Sequence, residues 1–285
     1  MNILKTGFFL ALLTVLLVFV GQLIGGTQGA AMAFGIALVI NVISYWFSDK
    51  IVLAMYRAKP LSEAEAPQVY RVVRELASRS RTPMPKLYLI PTMTPNAFAT
   101  GRSPSHATVA VTSGILRIMG EEELKGVLAH ELSHVKNRDT LVMTVAAAVA
   151  GAISMLASWA RWGLMFGGSG DRNRRGGNAA FQLVALLVIA ILAPLAAMLI
   201  QMAISRTREY GADETGARLA GSPFGLASAL EKLETAARDH PLPNANPATA
   251  HLFIVNPLSA GVVAHLFSTH PPMKERLRRL RSMRL

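Results

Sequence analysis

Charged and uncharged stretches alternate along this chain on a scale far longer than a helical turn. Residues 6–48 run for 43 positions without a charge, residues 140–160 for 21 and residues 176–205 for 30. Gly25-Gly26-Thr27-Gln28-Gly29 divides the first run into halves, about 6–24 and 30–47. At ~1.5 Å per residue each half nearly crosses a ~30 Å hydrocarbon core, which predicts a transmembrane hairpin. The competing reading is a signal peptide, with Lys5 before the apolar run and Ala31-Met32-Ala33 as a cleavage site. The first run is long for a signal core and a second follows at once, so the pattern favours retained anchors. The later runs predict a third and a fourth span, the fourth kinked at Pro194. The Ala and Gly of residues 140–160 suit close helix packing in lipid; a water-soluble core helix is the alternative.

The intervening segments are polar. Residues 49–140 carry 13 Lys and Arg against 9 Asp and Glu, and residues 206–285 carry 11 against 7. In the first, Glu63 to Ser80 has Val69, Val72, Val73 and Leu76 on one side and predicts an amphipathic helix, stopped by Pro83 and Pro85. Lys86–Ile90 reads as a strand, Pro91–Pro95 as a turn and Asn96–Ala99 as a short extended piece. Ala107–Thr112 reads as a second strand at a sheet edge. Such a strand can pair with an extended substrate, or be purely structural. In the second, Arg206–Leu219 continues helically out of the fourth span. Ser222-Pro223 opens a helix running through Glu234, and Pro271–Leu285 is a basic terminal helix. The expected organisation is a hairpin over 1–48 and a soluble part over 49–139. A second hairpin over 140–205 follows, with a Gly- and Arg-rich loop at 161–179, and then a second soluble part over 206–285. The fold class is a mainly α integral membrane protein with four transmembrane helices, an α+β domain and a small sheet.

Composition sharpens this picture. Hydrophobic residues make up 52% of the chain, mean hydropathy is +0.36, and there is no cysteine. Disulfides, thiolate metal sites and cysteine nucleophiles are thereby excluded, so a bound metal must take His, Glu or Asp. The formal charge of +12 accompanies no basic-aromatic nucleic-acid module. It fits basic flanks of membrane spans facing anionic lipid on the cytoplasmic side. That rule places Lys5, the 49–140 segment and, after four spans, the C-terminal segment in the cytoplasm. Arg161, Arg172, Arg174 and Arg175 of the 161–179 loop run against it.

The chemistry is concentrated in residues 121–139, EEELKGVLAHELSHVKNRD. His130-Glu131-Leu132-Ser133-His134 is H-E-x-x-H. On a helix its histidines, four apart, share one face and can bind one zinc ion, with Glu131 beside them as a general base. Glu121, Glu122 and Glu123 suit the helix N-terminus, and Leu124, Val127, Leu128, Leu132 and Val135 form an apolar stripe. The alternatives are a chance match and a metal-free helix with surface histidines.

A catalytic zinc usually takes a third protein ligand. Asn137 and Thr140 stand where the metzincin pattern needs Gly and His. No acid or histidine lies between Asp139 and Asp171. The best candidate is Glu209 in Arg206-Thr-Arg-Glu-Tyr-Gly-Ala-Asp213. Glu209 can bind the metal while Asp213, four residues on, fixes a histidine tautomer. Equally, both can be solvated acids neutralised by Arg206 and Arg208. A hairpin of spans three and four would bring Glu209 and His134 to the same membrane surface.

The helical H-E-x-x-H, the two following spans and the distal Glu-x-x-x-Asp resemble the HtpX heat-shock membrane proteases. These share a family with the integral-membrane CAAX prenyl proteases. Pro95-Asn-Ala-Phe-Ala-Thr-Gly101 and Thr269-His-Pro-Pro-Met-Lys-Glu-Arg276 extend the match over nearly the whole chain. The resemblance implies a gluzincin-like domain with one Zn2+ per chain on His130, His134 and Glu209, and Glu131 as base. It places Asn96 near the substrate and His270 at the oxyanion, a role that Tyr210 is also placed to take. It implies endoproteolysis of misfolded or unfolded membrane proteins at the cytoplasmic face of a bacterial inner membrane, with both termini cytoplasmic. The rivals are a prenyl-protein protease, whose substrate chamber needs more than four spans, and a scaffold or holdase with a structural zinc. Asp139, Asp213 and His270 are spare donors for that last case.

Overall fold

The computed structural model of the protein describes residues 2–146, 206–239, 252–254 and 271–285. The 161–179 loop, Pro194, His270 and most of the expected second hairpin lie outside the described residues. Residues 139–146, which lead into it, are helical.

The first element, α1 (Asn2–Met55), doubles back on itself. A straight helix would carry Leu10 and Asn41 roughly 46 Å apart at ~1.5 Å per residue. Instead Asn41 Nδ2 donates to the Leu10 carbonyl at 3.3 Å and to Thr14 Oγ1 at 2.8 Å. The reversal occurs at Gly26, whose φ of 59° is left-handed, and a side chain at Gly21 would overlap the Gly29 carbonyl. Among the described residues one helix, Gly26–Phe47, is long and apolar enough to cross a membrane; Thr6–Gln22 is apolar but shorter. Phe34, Ile36, Val39 and Val42 lie exposed along it.

The soluble part is built around a four-stranded sheet of order β1-β2-β4-β3. The strands are β1 (Lys59–Pro60), β2 (Lys86–Ile90), β3 (Ala97–Thr100) and β4 (Thr108–Thr112). β4 runs parallel to β2, and β3 antiparallel to β4 with Ala99 opposite Val109. The expectation of an edge strand at 107–112 is therefore corrected: β4 is interior, and β3 is the edge. All five β4 residues are buried. Val109 and Val111 enter the main core, while Ala110 on the other face meets Val52 and Leu53 at the end of α1. Its two threonines, which mimic a solvated edge in sequence, have internal partners instead. Thr112 Oγ1 accepts from the Ile115 and Asn96 amides, and Thr108 packs at the Thr100 register position.

Helices cover the sheet: α2 (Pro67–Ser80), α3 (Ser113–Ile118), α4 (Glu121–Lys136), α5 (Arg206–Ala220), α6 (Phe224–Asp239) and α7 (Met273–Ser282). α4 is central, packed against α2, α5, α6 and β3. Leu76 of α2, Leu128 and Leu132 of α4, and Leu226 of α6 are fully buried in one core. That core draws on both polar segments of the sequence, 49–139 and 206–285, which form a single hydrophobic unit. Each large aliphatic side chain so buried contributes ~1.5–3 kcal/mol.

Candidate metal centre

α4 and α5 approach closely at Gly216. A Cβ at Gly216 would lie 2.9 Å from the His130 backbone nitrogen and Cα. The adjoining Ala129, Ala212 and Ala217 are fully buried. Gly126 provides a similar contact for α6, because a side chain there would overlap the backbone of Gly225 and Leu226. These small residues set the i, i+4 pair His130/His134 directly opposite the i, i+4 pair Glu209/Asp213.

His130 Nε2 lies 3.7 Å from Glu209 Oε2, and His134 Nε2 lies 3.5 Å from Glu209 Oε1. The two imidazoles stand perpendicular, 4.9 Å apart. One donor atom from each of His130, His134 and Glu209 lies within 4.8 Å of the others. Ligands ~2.0–2.1 Å from a tetrahedral zinc are ~3.3–3.4 Å apart, so these separations are close to those a zinc ion requires. The opposite nitrogen of each ring faces an acid: His130 Nδ1 is 3.0 Å from Asp213 Oδ1, and His134 Nδ1 is 3.5 Å from Asp139 Oδ2. A proton held at Nδ1 leaves the Nε2 lone pair directed at the shared centre. The donor set therefore fits a metal.

Glu209 is 1% exposed and Asp213 4%, which removes the reading of two solvated acids beside Arg206 and Arg208. The cation on Asp213 is Arg276 of α7, fully buried and bidentate, with Nε to Oδ2 at 2.8 Å and Nη2 to Oδ1 at 2.6 Å. Burial alone would raise the Asp213 carboxyl. The Arg276 charge and hydrogen bonds, with His130, outweigh it and hold the group below the ordinary carboxylate range. For His134, burial opposes protonation, but the Asp139 hydrogen bond and the charges of Glu209 and Glu131 raise it to about 9. The cluster thus attracts positive charge.

Glu131 is also buried. Burial raises its pKa above the usual range, opposed by both histidines and by the Ala99 amide. That amide donates to Glu131 Oε2 at 2.9 Å, so the free edge of β3 faces the centre. Asn96, 1% exposed, sits at the start of β3. Its Nδ2 donates to the Leu252 carbonyl at 3.3 Å and its Oδ1 accepts from the Ile254 amide at 3.1 Å. Leu252, Phe253 and Ile254 are buried against Phe98, Glu131 and the histidines, leaving about 10 Å³ of free space. That volume suits a single water or ion and excludes a peptide. Tyr210 carries the Arg279 guanidinium over its ring at 3.8 Å.

Four contributors escaped the sequence reading: Asp139 on His134, Arg276 on Asp213, the Ala99 amide on Glu131, and the 252–254 segment. Only Asp139, five residues beyond His134 at the helix end, had a local signal.

Residues 63–284 match peptidase family M48. A protein named "Protease HtpX homolog" from Syntrophobacter fumaroxidans is 59% identical over 282 residues, covering 98% of each chain. One of the same name from Pyrococcus furiosus is 57% identical over 279 residues, covering 98% of this chain and 95% of its own. The crystal structure of S. mikatae Ste24p aligns with a TM-score of 0.49 and 17% identity over 85% of this chain and 56% of that one. The family match and both close relatives run through the segments that build the crossing of α4 and α5, and this chain belongs to peptidase family M48.

Proposed function

We propose that this metallopeptidase is a membrane-anchored zinc endopeptidase that holds its ion on His130, His134 and Glu209 and uses Glu131 as general base. The observation that carries the reading is the convergence of two Nε2 atoms on one buried carboxylate, each ring backed by a second acid at Nδ1. Zinc, when bound, supplies Lewis acidity toward water and the peptide carbonyl. Glu131, desolvated and with a raised pKa, takes a proton from the attacking water and returns it to the leaving amine. Asp213 and Asp139 keep the imidazoles in the ligating tautomer, and Arg276 keeps Asp213 charged. An extended substrate pairs with the edge of β3 rather than with 107–112, which is interior. Leu252–Ile254 must then move aside, which releases the Asn96 amide to hold substrate backbone. The set of three donors among the described residues supports a catalytic rather than a closed four-ligand structural site.

The hairpin of α1 supports anchoring in a bilayer. Four spans, a bacterial inner membrane, a cytoplasmic site and a role in clearing misfolded membrane proteins complete the reading, supported by the charge pattern and by the resemblance to the HtpX proteases.

The test uses protein purified in mild detergent without chelator. Zinc content and casein cleavage are measured for wild type and Glu131→Gln. One zinc in both, with cleavage in wild type alone, is expected. Equal cleavage by both removes Glu131 from the role of base. Cleavage of a farnesylated peptide but not of casein would move the enzyme to the prenyl-protease reading.

A further inference from the structure

Beside Asp139, which contacts His134, lies a second, much larger cavity of about 760 Å³. Its charged walls are Arg102, Arg138, Asp139 and Arg208, three arginines against one acid, and Tyr45 and Leu141 complete one side. Nothing in the proposed hydrolysis uses these arginines.

Depth says what the cavity meets. The apolar span of α1 ends at Phe47, and Tyr45 and Trp46 form an edge-to-face pair at 4.7 Å. Trp46 is exposed, and Arg102 places its guanidinium over that indole at 4.9 Å. Tyr and Trp at the end of a span mark the headgroup layer. The cavity therefore opens where lipid phosphates lie.

A further observation points to an anion. Arg208 is largely buried, and among the described residues neither Nη finds a hydrogen-bond acceptor; Asp139 Oδ1 approaches Nη1 only to 3.7 Å. A buried guanidinium without an acceptor is costly, and phosphate oxygens match its fork. Arg138 has a φ of 59° in the turn after α4, a left-handed conformation that helix C-termini usually give to Gly or Asn. Arg57 and Arg81 share that conformation at other helix ends, so at Arg138 it marks the turn, which leaves the exposed side chain at the cavity rim.

We propose that this pocket binds the phosphate of an anionic phospholipid headgroup through Arg102, Arg138 and Arg208. Basic pockets beside spans on the cytoplasmic side are suited to such headgroups. The proposal rests on the membrane reading of α1 and is independent of the zinc chemistry.

Native mass spectrometry of the detergent-purified chain reads the outcome as the fraction retaining phosphatidylglycerol or phosphatidylcholine. Wild type is expected to retain phosphatidylglycerol preferentially. Each arginine near a membrane surface is worth roughly fivefold toward anionic lipid, so Arg102→Gln/Arg208→Gln should lose roughly 25-fold. Arg71→Gln/Arg74→Gln, which removes equal charge from two exposed residues paired with Glu121 and Glu63, should lose nothing. Equal retention by the pocket variant overturns the proposal, as does equal loss in the control. Inorganic phosphate binding as tightly as the lipid would assign the pocket to free anions, and displacement of the lipid by an acidic peptide would assign it to substrate. Either overturns the lipid assignment. If the double variant does not fold, Arg138→Gln on the exposed rim is read instead; unchanged retention overturns the proposal. A wild-type chain that stays monodisperse without detergent removes the membrane reading, a failure distinct from these.

Discussion

The α1 hairpin and the α4–α5 crossing are opposites in what they hide. Along α1 apolar side chains such as Phe34, Ile36, Val39 and Val42 face outward, while the seam buries Phe9, Leu13 and Ala37 and turns Asn41 and Thr14 toward each other. At the crossing, His130, Glu131, His134, Glu209, Asp213 and Arg276 are buried beneath aliphatic neighbours. The difference follows from solvent. In lipid an exposed Phe or Val costs nothing, and a lone amide must find a partner. In a water-soluble core, charge is admitted only when neutralised and hydrogen-bonded. The hairpin is therefore held by close apolar packing and by weak polar contacts that are easily exchanged. The site is held by strong ones that cannot be removed singly.

The largest break in that contrast comes from the metal donors. Glu209→Ala removes the carboxylate shared by both histidines and leaves the two imidazoles facing a void. Zinc content should fall from one per chain to below a tenth, with cleavage lost; a chelator should do the same to wild type and zinc should restore it. Retained stoichiometric zinc in Glu209→Ala would refute the ligand assignment. Next is Arg276→Met. It leaves Asp213 charged and buried without its cation, which costs ~3–5 kcal/mol, measured by denaturant unfolding in detergent. A loss under 1 kcal/mol would mean that Asp213 finds another partner. Gly216→Ala tests the helix crossing itself. The new Cβ must displace the His130 backbone, so zinc affinity should fall about 10–100-fold, the scale of lost outer support around metal ligands, with secondary structure intact by circular dichroism.

How much of this was legible in sequence depends on how far apart the partners are. His130, Glu131 and His134 were legible because helical geometry fixes neighbours four residues apart. Glu209 and Asp213 were legible as a pair for the same reason, but nothing local told a buried pair from a solvated one. Arg276 contacts Asp213 across 63 residues, and Asn96 reaches Ile254 across 158; no periodicity records such contacts. In a basic terminal helix Arg276 looks like Arg278 or Arg279, which are exposed and paired with Glu275. β4 was misplaced because its threonines resemble an edge, while Thr112 is satisfied by the Asn96 and Ile115 amides and Thr108 lies opposite Thr100 of β3. The turn at Gly26 was legible from its glycines. The two-residue β1, pinned to β2 through Lys59 and Pro60, is too short for any pattern.

Glu123 stands in the first turn of α4. It accepts from the Gly120 amide at 2.9 Å, Ser228 Oγ at 2.6 Å and Lys232 Nζ at 2.7 Å, tying α4 to α6. Burial raises its pKa, but the Lys232, Ser228 and Gly120 hydrogen bonds prevail and lower it. The folded value being depressed, its stabilisation is present above the ordinary Glu value near 4.3 and disappears as pH falls through the folded value. Glu123→Gln should cost about 1 kcal/mol at pH 7, a charge-assisted bond exchanged for a neutral one. The gap from wild type should close as the medium is acidified below pH ~4. A gap independent of pH would assign the cost to packing.

The smallest effect belongs to the hairpin. Asn41→Leu removes the bonds to Leu10 and Thr14 but adds apolar surface that lipid accepts. Polar contacts between helices in a bilayer average ~0.6 kcal/mol. The variant should therefore lose less than ~1 kcal/mol in a bilayer or bicelle unfolding assay, with zinc content and cleavage unchanged. The charge-removing change at Arg276 should cost several times more, although each substitution deletes one polar side chain. If Asn41→Leu instead cost as much as Arg276→Met, the hairpin would be packed as tightly as the soluble core. The Asn41 amide would then be a structural lock, and the contrast between the two regions would rest on something other than their solvents.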